Sequence, residues 1–193
     1  MARTRSESAH QRVLDAALEL VADRGVDGAS MDAIAARSGV SKATIYKHWA
    51  DKDALLLELM AELHGLHTRP TFDTGKTKAD MVDVLAYRPP ENTPMRDRIM
   101  PQFLAYSATN VSFGLAWRNM VMEPPRRELS RLMKLGMEKG ELAAGLDTDL
   151  SLALLLGPVL YWKFFPPAPI ARDPRVLAKA VTGAFWKAFG AKR

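Results

Sequence analysis

Cysteine is absent from the 193 residues, which excludes disulfides, thiolate metal sites and thiol nucleophiles. Histidine is scarce. His10, His48, His64 and His67 are the only four, and all lie in the N-terminal half of the chain. A Gly-rich phosphate loop and a nucleophile elbow are also missing, so the usual signatures of an enzyme find no footing. No cofactor is implied. Strand-type alternation is not sustained anywhere. The apolar run Leu152–Trp162 is interrupted by Gly157 and Pro158 and falls short of the roughly 20 residues a bilayer requires. The opening MARTRSESAH lacks the apolar stretch of a signal peptide. A cytoplasmic location with no membrane partner is therefore expected.

What is present is ordinary in bulk: 48% hydrophobic and 25% charged residues, a balance that fits a globular chain. The formal net charge of +5 points to an anionic partner, yet residues 1–53 carry eight cations against eight acids. Net charge does not single out the N-terminal part. Placement does: Lys42, Lys47 and Lys52 cluster around Ser41–Trp49, SKATIYKHW, and Arg3 and Arg5 sit in a short arm. That arm is either a solvated tail or a segment reaching toward a minor groove.

The apolar positions recur with helical spacing. Val13, Leu14, Ala17, Leu18 and Val21 predict a first helix over about 7–24, stopped by Gly25. Ser30 reads as the N-cap of MDAIAARS, Gly39 as its left-handed C-cap, and Ser41 as the N-cap of the next helix, 42–48. Two short helices across a tight glycine turn, behind a longer supporting helix, form a helix-turn-helix plan. Further helices are predicted from Lys52 onward through the leucines at 55, 56, 59 and 63, over 76–87, over 95–107, over 111–139 with a break near Pro124 and Pro125, over 149–165 with Pro166 and Pro167 as its stop, and from Asp173-Pro174 to the end. The fold class is all-α with about nine helices: a three-helix helix-turn-helix domain over 1–52 and a larger helical domain over 53–193.

On a helix-turn-helix frame the start of the second helix enters the major groove. Lys42 and Thr44 then face base edges, Ala43 is small enough to approach a thymine methyl, and Tyr46, Lys47 and His48 face the backbone. Lys52, at the start of the next helix, adds a phosphate contact. Ile45 and Trp49 turn inward, toward Ile34 and Leu18.

Gly25–Leu59 carries Gly25, Ser30-Met31, Ile34-Ala35, Gly39-Val40-Ser41, Thr44-Ile45-Tyr46, His48-Trp49, Lys52-Asp53 and Leu55 at fixed spacing. In this the segment resembles the DNA-binding region of the tetracycline-repressor (TetR) family of bacterial regulators. The resemblance implies DNA contacts from Ser30, Thr44, Tyr46, His48 and Lys52 within a DNA-binding domain over 1–52, a homodimer on a palindromic operator, and a small-molecule effector, with effector binding and dimerisation both falling to the domain over 53–193. The family often has a hydroxyl residue where this chain has Ala29. It implies a repressor released by its ligand; an activator, or a DNA-organising protein without an effector, is the alternative.

For the effector, Met100, Phe103, Tyr106, Phe113, Trp117, Met120, Met137, Tyr161 and Trp162 are the apolar candidates, with Asn110, Arg118 and Asn119 as polar anchors. Such a lining suits a hydrophobic or aromatic molecule. Leu155 and Val159 on the penultimate helix, and Leu177, Ala180, Val181, Ala184, Phe185 and Ala188 on the last, form stripes that either complete a monomer core or build a four-helix dimer interface; the family resemblance favours the dimer. His64 and His67 are three apart and without an obvious third ligand, so no metal is expected.

Overall fold

The structure, a computed structural model, describes residues 5–88, 93–165 and 173–191. Its helices are α1 (Arg5–Gly28), α2 (Met31–Ser38), α3 (Lys42–His48), α4 (Lys52–Leu63), α5 (Thr77–Ala86), α6 (Thr93–Thr109), α7 (Val111–Trp117), α8 (Glu123–Glu138), α9 (Thr148–Phe164) and α10 (Pro174–Phe189), with a π-helical turn at Arg118–Met122 between α7 and α8. Among the described residues no strand forms, and the lone extended pairing is an isolated antiparallel bridge between Leu142 and Gly190. No helix of the described residues is long and apolar enough to cross a membrane.

Local chemistry sets most boundaries. Gly25 has φ 78° and ψ 174° and ends the regular part of α1 where the sequence places its stop. Ser30, Ser41, Asp51, Asp147 and Asp173 each accept a backbone N–H of the helix they cap, satisfying donors a helix start leaves orphaned. Gly39 closes α2 at φ 66° with its N–H on Ala35 O, a conformation that costs a Cβ-bearing residue more. The expected break near Pro124 and Pro125 takes a different form. Both prolines lie in the first turn of α8, where a missing N–H costs nothing, and the irregularity is the π turn just before them. Pro166 and Pro167 lie outside the described residues.

The chain divides into two compact units, residues 1–68 with 89–121, and residues 69–88 with 122–193. In the first, α1 packs against α2, α3, α4 and α6, and α7 against α4 and α6. Val13, Leu14, Ala17, Leu20 and Val21 of α1 are buried together with Ile34, Ile45, Trp49, Leu55 and Leu56. Each of the valines, leucines and isoleucines among them contributes about 1.5–3 kcal/mol by leaving water. Arg37 pairs with Glu19 at 2.8 Å, tying α2 to α1. In the second unit α5 lies against α8 and α10, and α9 against α8 and α10. Met81, Leu85, Leu129, Leu132, Met133, Leu152, Leu155 and Phe185 form its core. Fully buried Asp80 closes the loop before α5 by accepting from the Thr74 N–H and hydroxyl.

Of the two alternatives the sequence leaves for the stripes of α9 and α10, monomer core or dimer interface, Leu155 and Phe185 follow the first: both are buried in their own unit's core, with Val159 and Val181 packed against it. An inward stripe and an outward one run along the same helix. The outward stripe of α9 is Leu150, Leu154, Gly157 and Tyr161, and that of α10 includes Val176, Ala180 and Ala184. Ala188 is exposed and Leu177 half-buried.

Candidate nucleic-acid interface

α3 is only seven residues long, too short to hold itself. It is fixed from both ends and from beneath. Ser41 Oγ accepts the Thr44 N–H at 3.2 Å and lies 2.9 Å from the Thr44 hydroxyl. Ile45 and Trp49 are 1% and 3% exposed, so the inward pair is as expected. The Trp49 indole Nε1 donates to Glu58 Oε2 at 2.6 Å, and Glu58 Oε1 lies 2.6 Å from His10 Nε2. The His10 ring sits 4.5 Å from the Trp49 ring and 5.4 Å from that of His48. One carboxylate on α4 thus holds the end of α3 and the start of α1.

What remains outside is polar. Lys42, Ala43, Tyr46, Lys47 and His48 are exposed and Thr44 is half-buried. Lys42 Nζ rests 2.7 Å from Asp32 Oδ1 of α2; the hydrogen bond to that carboxylate, and its charge, raise the Lys42 pKa above the ordinary lysine value. Ser30 is exposed at the start of α2, its hydroxyl occupied as a cap at 3.2 Å from Ala33 N. Lys52 Nζ donates to Val26 O at 3.4 Å and stands 5.0 Å from the centre of the Tyr106 ring. Arg5 opens α1, and Arg3 lies outside the described residues. His64 Nδ1 donates to the Met60 carbonyl at 2.9 Å, and His67 is exposed.

Asp53, on the first turn of α4, was not anticipated. Its Oδ1 accepts from the Tyr106 hydroxyl at 2.8 Å and its Oδ2 from Asn110 Nδ2 at 3.1 Å, while Asn110 Nδ2 also reaches the Tyr106 hydroxyl at 3.0 Å. Burial, and then the bond to Asp53, raises the Tyr106 phenol above its ordinary pKa. Asn110 Oδ1 meanwhile caps α7 by accepting from Phe113 N at 3.1 Å. Two residues assigned to an effector are therefore tied to the helix that carries Lys52.

Of the other effector candidates, Met100, Phe103, Phe113 and Trp117 are buried and Met120 half-buried in the first unit. Met137 and Trp162 are half-buried in the second, where Tyr161 is exposed beside Phe165 at 5.5 Å. Arg118 and Asn119 are exposed on the π turn. A surface groove of about 440 Å³ along α8 involves none of these candidates; it is lined by Glu123, Arg126, Arg127, Ser130, Arg131, Lys134, Asp149 and Leu152.

Residues 13–59 match the model of bacterial regulatory proteins of the tetR family, and residues 71–183 match the tetracyclin repressor-like C-terminal domain. The chain is 30% identical over 159 residues to the HTH-type transcriptional regulator YdeS of Bacillus subtilis, spanning 82% of this chain and 80% of that protein. It is 26% identical over 184 residues to the HTH-type transcriptional regulator SrpR of Pseudomonas putida, spanning 94% and 85%. A transcriptional regulator from Rhodococcus sp. Rha1 shares the fold, with a TM-score of 0.70 at 19% identity over 95% of this chain and 99% of that one.

Proposed function

The chain belongs to the TetR family of bacterial transcriptional regulators, a helix-turn-helix regulator and not an enzyme, and from that premise we propose that it is a repressor. It binds a palindromic operator as a homodimer, and an apolar or aromatic small molecule releases it. One observation carries the DNA-binding part: α3 spends its inward residues on Ile45 and Trp49 and keeps Lys42, Ala43, Thr44, Tyr46, Lys47 and His48 for an outside partner. The dimer would use the outward stripes of α9 and α10, since large exposed apolar residues such as Leu150, Leu154 and Tyr161 mark an association surface.

Release is a coupling between two sites, and a ligand shifts DNA affinity only by its differential affinity for the two conformations. The Asp53–Tyr106–Asn110 cluster supports such a coupling within the first unit. A ligand that moved α6 would pull on the first turn of α4.

The test is binding of the purified protein to DNA upstream of its own gene, read by fluorescence anisotropy across a salt series. The Thr44→Ala, Tyr46→Ala double variant is expected to lose sequence-selective binding, about 1–3 kcal/mol for the base contact of Thr44 together with the backbone contact of Tyr46 that sets the register, while melting close to the parent. Selective binding that survived the change would move the reading surface elsewhere. A genomic pull-down that found no preferred site would sink the regulator mechanism.

A further inference from the structure

The buried stripe of α6 contains a cation. Arg96, Ile99, Met100 and Phe103 follow one another at helical spacing and so share a face, and all four are buried, Arg96 at 1% exposure. A guanidinium withdrawn from water carries a heavy penalty unless acceptors surround it. Arg96 has five N–H donors to satisfy. Among the described residues it reaches one acceptor, Oδ1 of its neighbour Asp97, at 3.4 Å from both Nε and Nη2. Those are long contacts for a charged pair, and the Asp97 side chain is 47% exposed, so water competes for it.

A second buried donor lacks even a long contact. Trp117 Nε1 is buried with no hydrogen-bond partner, four residues along α7 from Phe113, whose ring stacks on Phe103 at 6.0 Å. The stripe of α6 and the inner face of α7 therefore meet through two aromatic rings, and they carry a buried guanidinium held by one long contact to Asp97 and an indole N–H with no partner. The unit's orphaned acceptor, Gln102 Oε1, lies on another side of α6, toward Gly25.

We propose that the effector is an amphipathic organic anion, an apolar body bearing a single carboxylate, and that Arg96 binds that carboxylate with Trp117 Nε1 as an auxiliary donor. The inference rests on the ligand-responsive reading above and names its ligand class. The planar guanidinium fork matches a carboxylate in two parallel hydrogen bonds. A neutral ligand would leave the cation with only its long contact to Asp97, and a polyanion would find one buried cation among Ile99, Met100, Phe103 and Phe113.

The experiment titrates the full-length protein by calorimetry with matched pairs, decanoate against decanol and cinnamate against methyl cinnamate, and repeats each titration with Arg96→Gln and Arg96→Lys. Operator release is followed in parallel. At least one carboxylate is expected to bind roughly tenfold or more tightly than its neutral twin, the increment of a hydrogen bond to a charged group. Arg96→Gln is expected to erase that preference while leaving the neutral twin's affinity unchanged, and Arg96→Lys to retain part of it. Equal binding of acid and twin, no binding by either acid, or full carboxylate affinity in a cooperatively melting Arg96→Gln variant would overturn the assignment. If Arg96→Gln does not fold, the wild-type pairs and Arg96→Lys decide. Neutral compounds that release DNA while the acids do not would sink the assignment and leave the regulator standing. Arg96-dependent binding that leaves DNA bound would keep the site and sink the release mechanism.

Discussion

Replacing Trp49 with alanine is expected to unfasten the recognition helix and abolish specific DNA binding. The indole is 3% exposed, and truncating a buried Trp to Ala typically costs about 3–5 kcal/mol. More is lost here than area. Glu58 would surrender the Nε1–H at 2.6 Å, and the His10 ring would lose the surface it packs on at 4.5 Å. A seven-residue helix has little stability of its own, so α3 amides should exchange with solvent far faster while α9 amides keep their protection. Trp49→Phe retains most of the ring and forfeits the hydrogen bond, for about 1–2 kcal/mol. Hydrogen exchange and operator titration of the three proteins would check this. Unchanged α3 protection in the alanine variant would show that Ile45 and the Ser41 cap suffice.

Phe103→Ala is expected to cost a similar amount in the middle of the first unit. The side chain is fully buried and stacks on Phe113, so its removal forfeits transfer energy and leaves a void, about 3–5 kcal/mol together. For a chain of this size each kcal/mol shifts the melting temperature by about 2–4 °C, a fall on the order of ten degrees. The size of the fall also discriminates. A loss near 1 kcal/mol would show that Phe103 walls an existing cavity, and binding of small aromatic probes would follow. A full loss would mark it as solid core.

Much of the reading head was legible in the sequence because its signals are local. Ser30, Ser41, Gly25 and Gly39 act on backbone groups within four residues of themselves, and Ile45 with Trp49 follows from helical spacing alone. The exposed face of α3 could be read as what those inward residues leave over. The partners that complete the site were not legible. Glu58 is nine residues from Trp49 and forty-eight from His10, and Asp53 is fifty-three from Tyr106; no periodicity connects such pairs. An unpaired indole N–H was the available hint that Trp49 needed an acceptor. The apolar stripes of α9 and α10 were visible, yet which one faces inward depends on how α5 and α8 pack, and that placed Leu155 and Phe185 in the core. Arg96 was hidden for the opposite reason: in PMRDRIMPQF a charge next to two others reads as solvated, and only the packed helix shows that it is buried.

The Lys42–Asp32 pair changes what ionic strength can do to this protein. Each phosphate neutralised by a lysine releases condensed counterions, and log affinity falls with log salt by about 0.9 per phosphate. A lysine already resting on a carboxylate brings little unspent charge to that exchange. To grip a phosphate it must share Asp32 or leave it, and the freed carboxylate then repels the strand. Lys52 is tied only to the neutral Val26 O at 3.4 Å, which leaves its charge available. Among the described residues Lys47 alone of the three shows no side-chain tie of either kind. The thermodynamic count of released ions is therefore smaller than the lysines around α3 suggest. On the proposed mode of binding a larger share of the affinity would fall to the uncharged groups of Thr44, Ala43 and Tyr46, whose contacts salt does not screen, and the base contacts of Thr44 and Ala43 would keep the preference for the operator over bulk DNA as ionic strength rises.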